Sequence, residues 1–325
     1  MKTFRKILGV VDPVQPDHNA LSQCIKIAKD HQASLTLMAV LPINKAGRSA
    51  FKNSDSLTTD LKPLENELQT NIEQNVRDLD PDITPEILIV TGISSIEIVT
   101  LVVEDNYDIV IKSAQKVDWI KRLFGSEDID LIRKCPCPVL MLKPNDQKPF
   151  TKILATVDVN EDSSNNEAET QSHLNEEVLR FGATMSVPEL SELHVGAVWN
   201  AYAEGSLRYG RLSTAPSAEV DEYVDNTEAQ CKQKLDSLVD GLSNKFGSEA
   251  MDYLNTRKHL VKGEASKEIP QMAEENHIDL IVMGTVGRIG IPGFIMGNTA
   301  EAILEQVQCS VLAIKPEGFK TPVQI

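Results

Sequence analysis

The chain is written twice, and this repetition constrains its fold more than any single motif. KILGVVD at 6–12 returns as KILATVD at 152–158, and LTLMAV at 35–40 as LHVGAV at 193–198. VTGISSIEIVTLVVEDNYDIVI at 90–111 returns as VKGEASKEIPQMAEENHIDLIV at 261–282, and CPVLMLKP at 137–144 as CSVLAIKP at 309–316. The order is kept, while the separation grows from 146 residues at the first pair to 172 at the last. Such a pattern marks a duplicated unit whose second copy has gained about 26 residues. Roughly half of the gain falls between 159 and 192, and the rest between 199 and 260. A length of 325 residues suits two domains. The junction falls in LKPNDQKPFTKIL, whose polar, proline-rich residues 144–149 read as a linker. The expected domains are therefore 1–146 and 147–325.

Each copy alternates short apolar runs with amphipathic stretches. KILGVV, SLTLMAV, EILIV, YDIVI and PVLML are apolar on both faces, as strands buried in a parallel sheet are. Between them, Leu21, Cys24, Ile25 and Ala28 recur at helical spacing, as do Leu174, Val178 and Phe181. Residues 60–79, 221–246, Ser95–Asn106 and Ala265–His277 read as further helices. Strands joined by helices make right-handed crossovers in a parallel sheet. The expectation is α/β: two tandem five-stranded sandwiches, either flavodoxin-like or of the nucleotide-binding, Rossmann-like kind. The insertions 42–58 and 200–220 read as surface loops. The second has an alternative as a lid over the sheet's carboxyl edge, carrying Tyr202, Arg208, Tyr209 and Arg211.

Composition narrows the partners. Hydrophobic residues make up 41%, enough for two separate cores. A formal net charge of −16 repels nucleic acid and anionic membrane, so neither is expected as a partner. No apolar run approaches the length of a membrane span, and Asp12 stops the short one near the start. Five scattered cysteines suit reduced thiols, hence a cytoplasmic location. Cys135-Pro-Cys137 is not a CxxC pair, and buried cysteine at a strand start explains it. No Walker loop, GxSxG, HExxH or GxGxxG follows a strand, and no histidine has a recognisable nucleophile partner. No catalytic residue and no metal site are therefore assigned.

One stretch stands apart. VMGTVGRIGIPGFIMGNTAEAIL, 282–304, carries Gly284, Gly287, Gly290, Gly293 and Gly297 between a strand and a helix. Glycine at that density means a tight turn or a close approach. The approach is either to a ligand or to the chain itself. In the second case Asn298 and Glu301 would form a capping box that satisfies the helix's own amides. Likewise Asp12 and Asp158, at the ends of the two first strands, either meet a ligand or cap the loops that follow.

ATVD in the first strand, the spacing Gly284-x2-Gly287-x9-Gly297, and GNTAEAIL opening the last helix resemble the universal stress proteins. Two copies in one chain resemble the family's tandem bacterial type. That resemblance implies ATP or a related nucleotide, with Mg if bound, in the second copy. Asp158 would face the adenine or ribose and Val198 would offer backbone groups to the base. Gly284 and Gly287 would pass beside ribose and phosphates, and Gly297, Asn298 and Thr299 would meet the phosphates. Arg288 would add a cationic contact. The physics agrees: strand carboxyl ends at a topological switch make a crevice, and a helix start offers amides to it. The family's Ser or Thr after the last glycine is Asn298 here. The resemblance also implies that the two last strands, VLMLKP and VLAIKP, pair across a pseudo-dimer axis, with a further homodimer open.

In the first copy Ser113 and Lys116 stand where Gly284 and Gly287 would be, while Gly125-Ser126 survives. Glu127 and Asp128 make that helix start acidic, so this half is expected to have lost nucleotide binding. Trp119, Ile120, Leu123 and Phe124 either pack in the core or line an apolar cleft. Two functions are thus open. One is a stress protein that binds a nucleotide in its second half and signals to a partner, with at most an incidental ATPase. The other is a pseudo-dimer scaffold or apolar-ligand binder without a nucleotide.

Overall fold

A computed structural model describes residues 4–42, 56–115, 124–144, 149–160, 165–210, 216–247, 251, 253–286 and 296–324. The first half contributes strands β1 (Lys6–Val11), β2 (Ser34–Pro42), β3 (Glu86–Gly92), β4 (Ile109–Ser113) and β5 (Val139–Leu142). Its helices are α1 (His18–His31), α2 (Ser56–Leu79), α3 (Ser94–Asp105) and α4 (Ser126–Lys134). The second half adds β6 (Lys152–Val157), β7 (Glu192–Trp199), β8 (Arg257–Lys262), β9 (Leu280–Gly284) and β10 (Ser310–Ile314). Its helices are α5 (Asn165–Ser186), α6 (Glu204–Tyr209), α7 (Ser217–Phe246), α8 (Ala265–Glu275) and α9 (Asn298–Leu304).

The strands run β3-β2-β1-β4-β5-β10-β9-β6-β7-β8 in one ten-stranded sheet. Within each half the order is 3-2-1-4-5, the nucleotide-binding order rather than the flavodoxin one, and all pairings are parallel. The halves meet where β5 and β10 pair antiparallel, with Val139, Leu140 and Met141 opposite Ala313, Leu312 and Val311. The switch points therefore lie between β1 and β4 and between β6 and β9.

This continuity corrects one expectation. The two cores do not divide between the halves; they lie one on each face of the sheet and each spans both halves. One packs α1 and α2 with α5 and α7, through residues such as Ile7, Leu37, Ile72, Ile153, Leu193 and Leu235. The other packs α3 and α4 with α8 and α9, through Leu8, Ile98, Leu131, Ile281, Ile303 and Val311. Central strands joined edge to edge leave no boundary at which a core would stop. Across the seam, Phe4 stacks on Phe181 with ring centroids 5.9 Å apart. Lys26 pairs with Glu189, and Arg133 of α4 with Glu301 of α9.

The 200–220 insertion is not wholly loop: it contains α6, whose Arg208 is tied to Glu204 and to Asp221 of α7. Tyr209 is exposed, and Arg211 lies outside the described residues. Lys116, Trp119, Ile120 and Leu123 also lie outside them, as does most of the 42–58 insertion. Phe124 is buried in the core. Cys135 and Cys137 stand just before β5, with sulfurs 3.6 Å apart and no disulfide.

Candidate functional site

Parallel strands at a switch point part on their carboxyl side, because the connections leave in opposite directions. In the second half this opens a cavity of about 810 Å³ at the ends of β6, β7 and β9. Six of the residues singled out in the sequence line it together: Asp158, Val198, Gly284, Gly297, Asn298 and Thr299. Gly287 and Arg288 lie outside the described residues. Thr156 and Met283 add to the floor, Gly263 and Glu264 come from the turn between β8 and α8, and Ser266 from the first turn of α8.

Asparagines that sequence reasoning missed hold the mouth in shape. Asn175 of α5 accepts from the Asp158 amide at 3.0 Å and donates to the Asp158 carbonyl at 2.7 Å. Asn160 donates through Nδ2 to the Asp158 carboxylate at 2.8 Å and to the Val198 carbonyl at 2.9 Å. Its own Oδ1 accepts from the Asn200 amide at 3.1 Å, so one side chain ties β6 to β7. Asn175 had a legible signal, being a polar residue beside Leu174 on the helix's apolar stripe. Asn160 had none, since its partners depend on the strand order.

Asp158 is exposed and its Oδ1 also accepts from the Asn160 amide at 3.1 Å. Capping of the following loop is thus observed, as it is for Asp12, which accepts from Val14 and Gln15 at 2.8 and 3.0 Å. The Val198 carbonyl, expected to face a base, is already engaged by Asn160.

Gly284 answers half of the glycine question. A Cβ there would stand 2.6 Å from Leu174 Cδ2 and 3.0 Å from its Cγ. The close approach at this position is made by the chain itself. Gly297 is the N-cap of α9, with extended backbone at φ −66 and no side-chain cap. Its amide donates to the Thr285 carbonyl at 3.0 Å, and Val286 bridges Met296, so the two ends of the glycine-rich segment are fastened together.

The Asn298–Glu301 capping box, the alternative to a ligand at this helix start, does not form. Glu301 turns away to Arg133 of the first half, an interaction between distant chain segments that overrides the local one. No acceptor is described for the amides of Asn298, Thr299 and Ala300. The described walls carry two carboxylates, Asp158 and Glu264, and no lysine or arginine. A buried lysine stands behind the wall: Lys315 donates to Thr285 Oγ1 at 2.7 Å. Burial lowers its pKa to about 8. Among the described residues no cluster of His, Cys, Asp and Glu could hold a metal ion, and no helix is long and apolar enough to cross a membrane.

The model of the universal stress protein family matches residues 3–143 and 150–315. Universal stress protein E of Escherichia coli (strain K12) is 28% identical over 345 residues, covering 100% of this chain and 98% of that protein. The universal stress protein E homolog of Haemophilus influenzae is 26% identical over 324 residues, covering 96% and 98%. A solved universal stress protein from Archaeoglobus fulgidus superposes with a TM-score of 0.60 at 16% identity, over 95% of this chain and 96% of that one. A solved chain from Pseudomonas aeruginosa does so with a TM-score of 0.63 at 23% identity, over 97% and 94%.

Proposed function

Because the chain belongs to the universal stress protein family in both of its halves, we propose that it is a cytoplasmic, tandem-type member that binds ATP or a related nucleotide in its second half. Ligand binding would then alter contacts with a partner during stress. The observation that carries this reading is the cavity at the β6–β9 switch point, which gathers Asp158, Val198, Gly284, Gly297, Asn298 and Thr299 around about 810 Å³. That volume lies in the range of small-molecule sites.

The walls sort by chemistry. Val157, Val198, Ile269 and Met283 are apolar and suit the faces of a base. Asp158 and Asn160 stand at the mouth, where ribose hydroxyls find acceptors and donors. The first turn of α9 lines the same cavity, where its amides would meet phosphate. With no cationic wall described, a triphosphate would bring Mg as its counter-charge, and Arg288 would approach from the glycine-rich segment. On this reading any ATP hydrolysis would be incidental.

A second reading has its own support. Leu174 against Gly284, and Asn160 on the Val198 carbonyl, use two ligand-facing groups for the fold itself. On that reading the chain is a pseudo-dimer scaffold or binds an apolar ligand in the same cavity. Thermal melting with MgATP, adenosine and buffer separates the two. The nucleotide reading expects the melting temperature to rise with MgATP concentration, following ligand linkage. No rise at millimolar MgATP rejects it.

A further inference from the structure

The switch point of the first half holds something its twin lacks. Asp128, in the first turn of α4, is fully buried, with 0% exposure. Three donors from three segments converge on its carboxylate. Lys112 Nζ, at the end of β4, donates to Oδ1 at 2.6 Å. The Gln115 amide, past β4, donates to Oδ2 at 2.8 Å, and the Gly125 amide, at the N-cap of α4, donates to the same oxygen at 3.0 Å. An ordinary helix cap needs only the last of these. A lysine and two amides around one buried carboxylate make a complete anion-binding arrangement.

The duplication shows what this pair replaces. Lys112 corresponds to Met283 and Asp128 to Ala300, 171 and 172 residues later. Met283 and Ala300 both line the second half's cavity. Where one half leaves space beside its last helix, the other therefore fills the matching space with an ion pair. Ser113, at the place of Gly284, adds to the closure by donating to Asp17 Oδ2 at 2.8 Å.

We propose that the first half retains an anion seat and occupies it permanently with its own Asp128 carboxylate. The seat accepts a carboxylate or a phosphate oxygen, and in the native chain the aspartate is tethered there, so no free anion competes. The first half is thereby fixed in a ligand-filled arrangement. Only the second is left to respond to solutes. This inference stands on the Asp128 contacts and does not depend on which ligand the second half takes.

Removing the tethered anion from the full-length chain tests it. Asp128→Ala strands Lys112 and two amides beside a void, and breaking a buried pair this way lowers the melting temperature by roughly 10 °C. Sodium formate or phosphate at 100 mM is expected to restore about half of that loss relative to sodium chloride of equal ionic strength. If Asp128→Ala does not fold alone, the same comparison is read as folded yield by circular dichroism after refolding in each salt. Asp128→Asn, which keeps the seat filled, is expected to show no anion-specific gain. Lys112→Met with Asp128→Ala copies the second half and is expected to melt close to the parent and to ignore formate. Restoration no better than chloride, or an equal formate response in Asp128→Asn or in the double variant, overturns the proposal.

Discussion

At the scale of single residues, the least obvious assignment is Gly284. Leu174 lies where its side chain would be, so Gly284→Ala forces a methyl into an occupied core. A cost of about 1–3 kcal/mol follows from overpacking. The expected outcome is a lower chemical-denaturation midpoint for Gly284→Ala, and a double variant with Leu174→Ala that loses less than the two single variants summed. If the single variant is as stable as the parent, the packing role is wrong. His194 is the other residue with a measurable signature. It is 1% exposed on β7, its Nδ1 lies 2.8 Å from His259 Nε2, and its Nε2 makes no hydrogen bond. Burial, then the facing His259, lowers its pKa from 6.5 to about 4. The unfolded imidazole takes a proton near 6.5 and the folded one resists until about 4. The unfolded chain thus binds more protons in that window, and stability falls as pH drops through it, by up to about 3 kcal/mol. His194→Leu is expected to lessen the fall of the melting temperature between pH 6.5 and 4, the rest coming from His259 and His31, whose pKa values burial also lowers. A parent protein equally stable across that window contradicts the assignment.

At the scale of elements, the seam decides behaviour. Leu140 and Leu312 face each other across β5 and β10, both fully buried, and each belongs to a core that runs through both halves. Leu140→Ala is expected to cost about 2–5 kcal/mol and to lower the midpoints of both halves together in one transition. Two separated transitions would mean the halves are energetically independent. The same elements show what a sequence reveals. The strands and helices were legible because a duplicated pattern is read twice, and short β-branched-rich runs such as YDIVI and DLIVM suit a buried parallel strand. The β5–β10 pairing was implied by the family resemblance and is observed, whereas the shared cores were not legible, because helices of distant segments meet on each face only once that pairing makes one sheet. The capping box at Asn298 was a sound local reading that failed because Arg133 claims Glu301. In the site, the glycine spacing pointed to the sheet edge where the cavity lies, while Asn160 escaped notice because its partners Val198 and Asn200 are set by strand order.

At the scale of the whole molecule, one ten-stranded sheet carries two related switch points with opposite fates. One is open, with asparagines bracing its mouth and Glu301 drawn away from its helix start. The other is filled by Lys112 and Asp128. An acidic chain of net charge −16 repels free anions at long range, so on the proposed reading selectivity for a nucleotide would come from shape and short-range donors in the open half. Isothermal titration of the full chain with MgATP tests this most directly, beside Thr299→Trp, which places an indole at the cavity's exposed rim. The account predicts one nucleotide per chain and at least about a tenfold loss of affinity in Thr299→Trp at unchanged melting temperature, about 1.4 kcal/mol of binding. Two nucleotides per chain, or full affinity with the rim blocked, would contradict it.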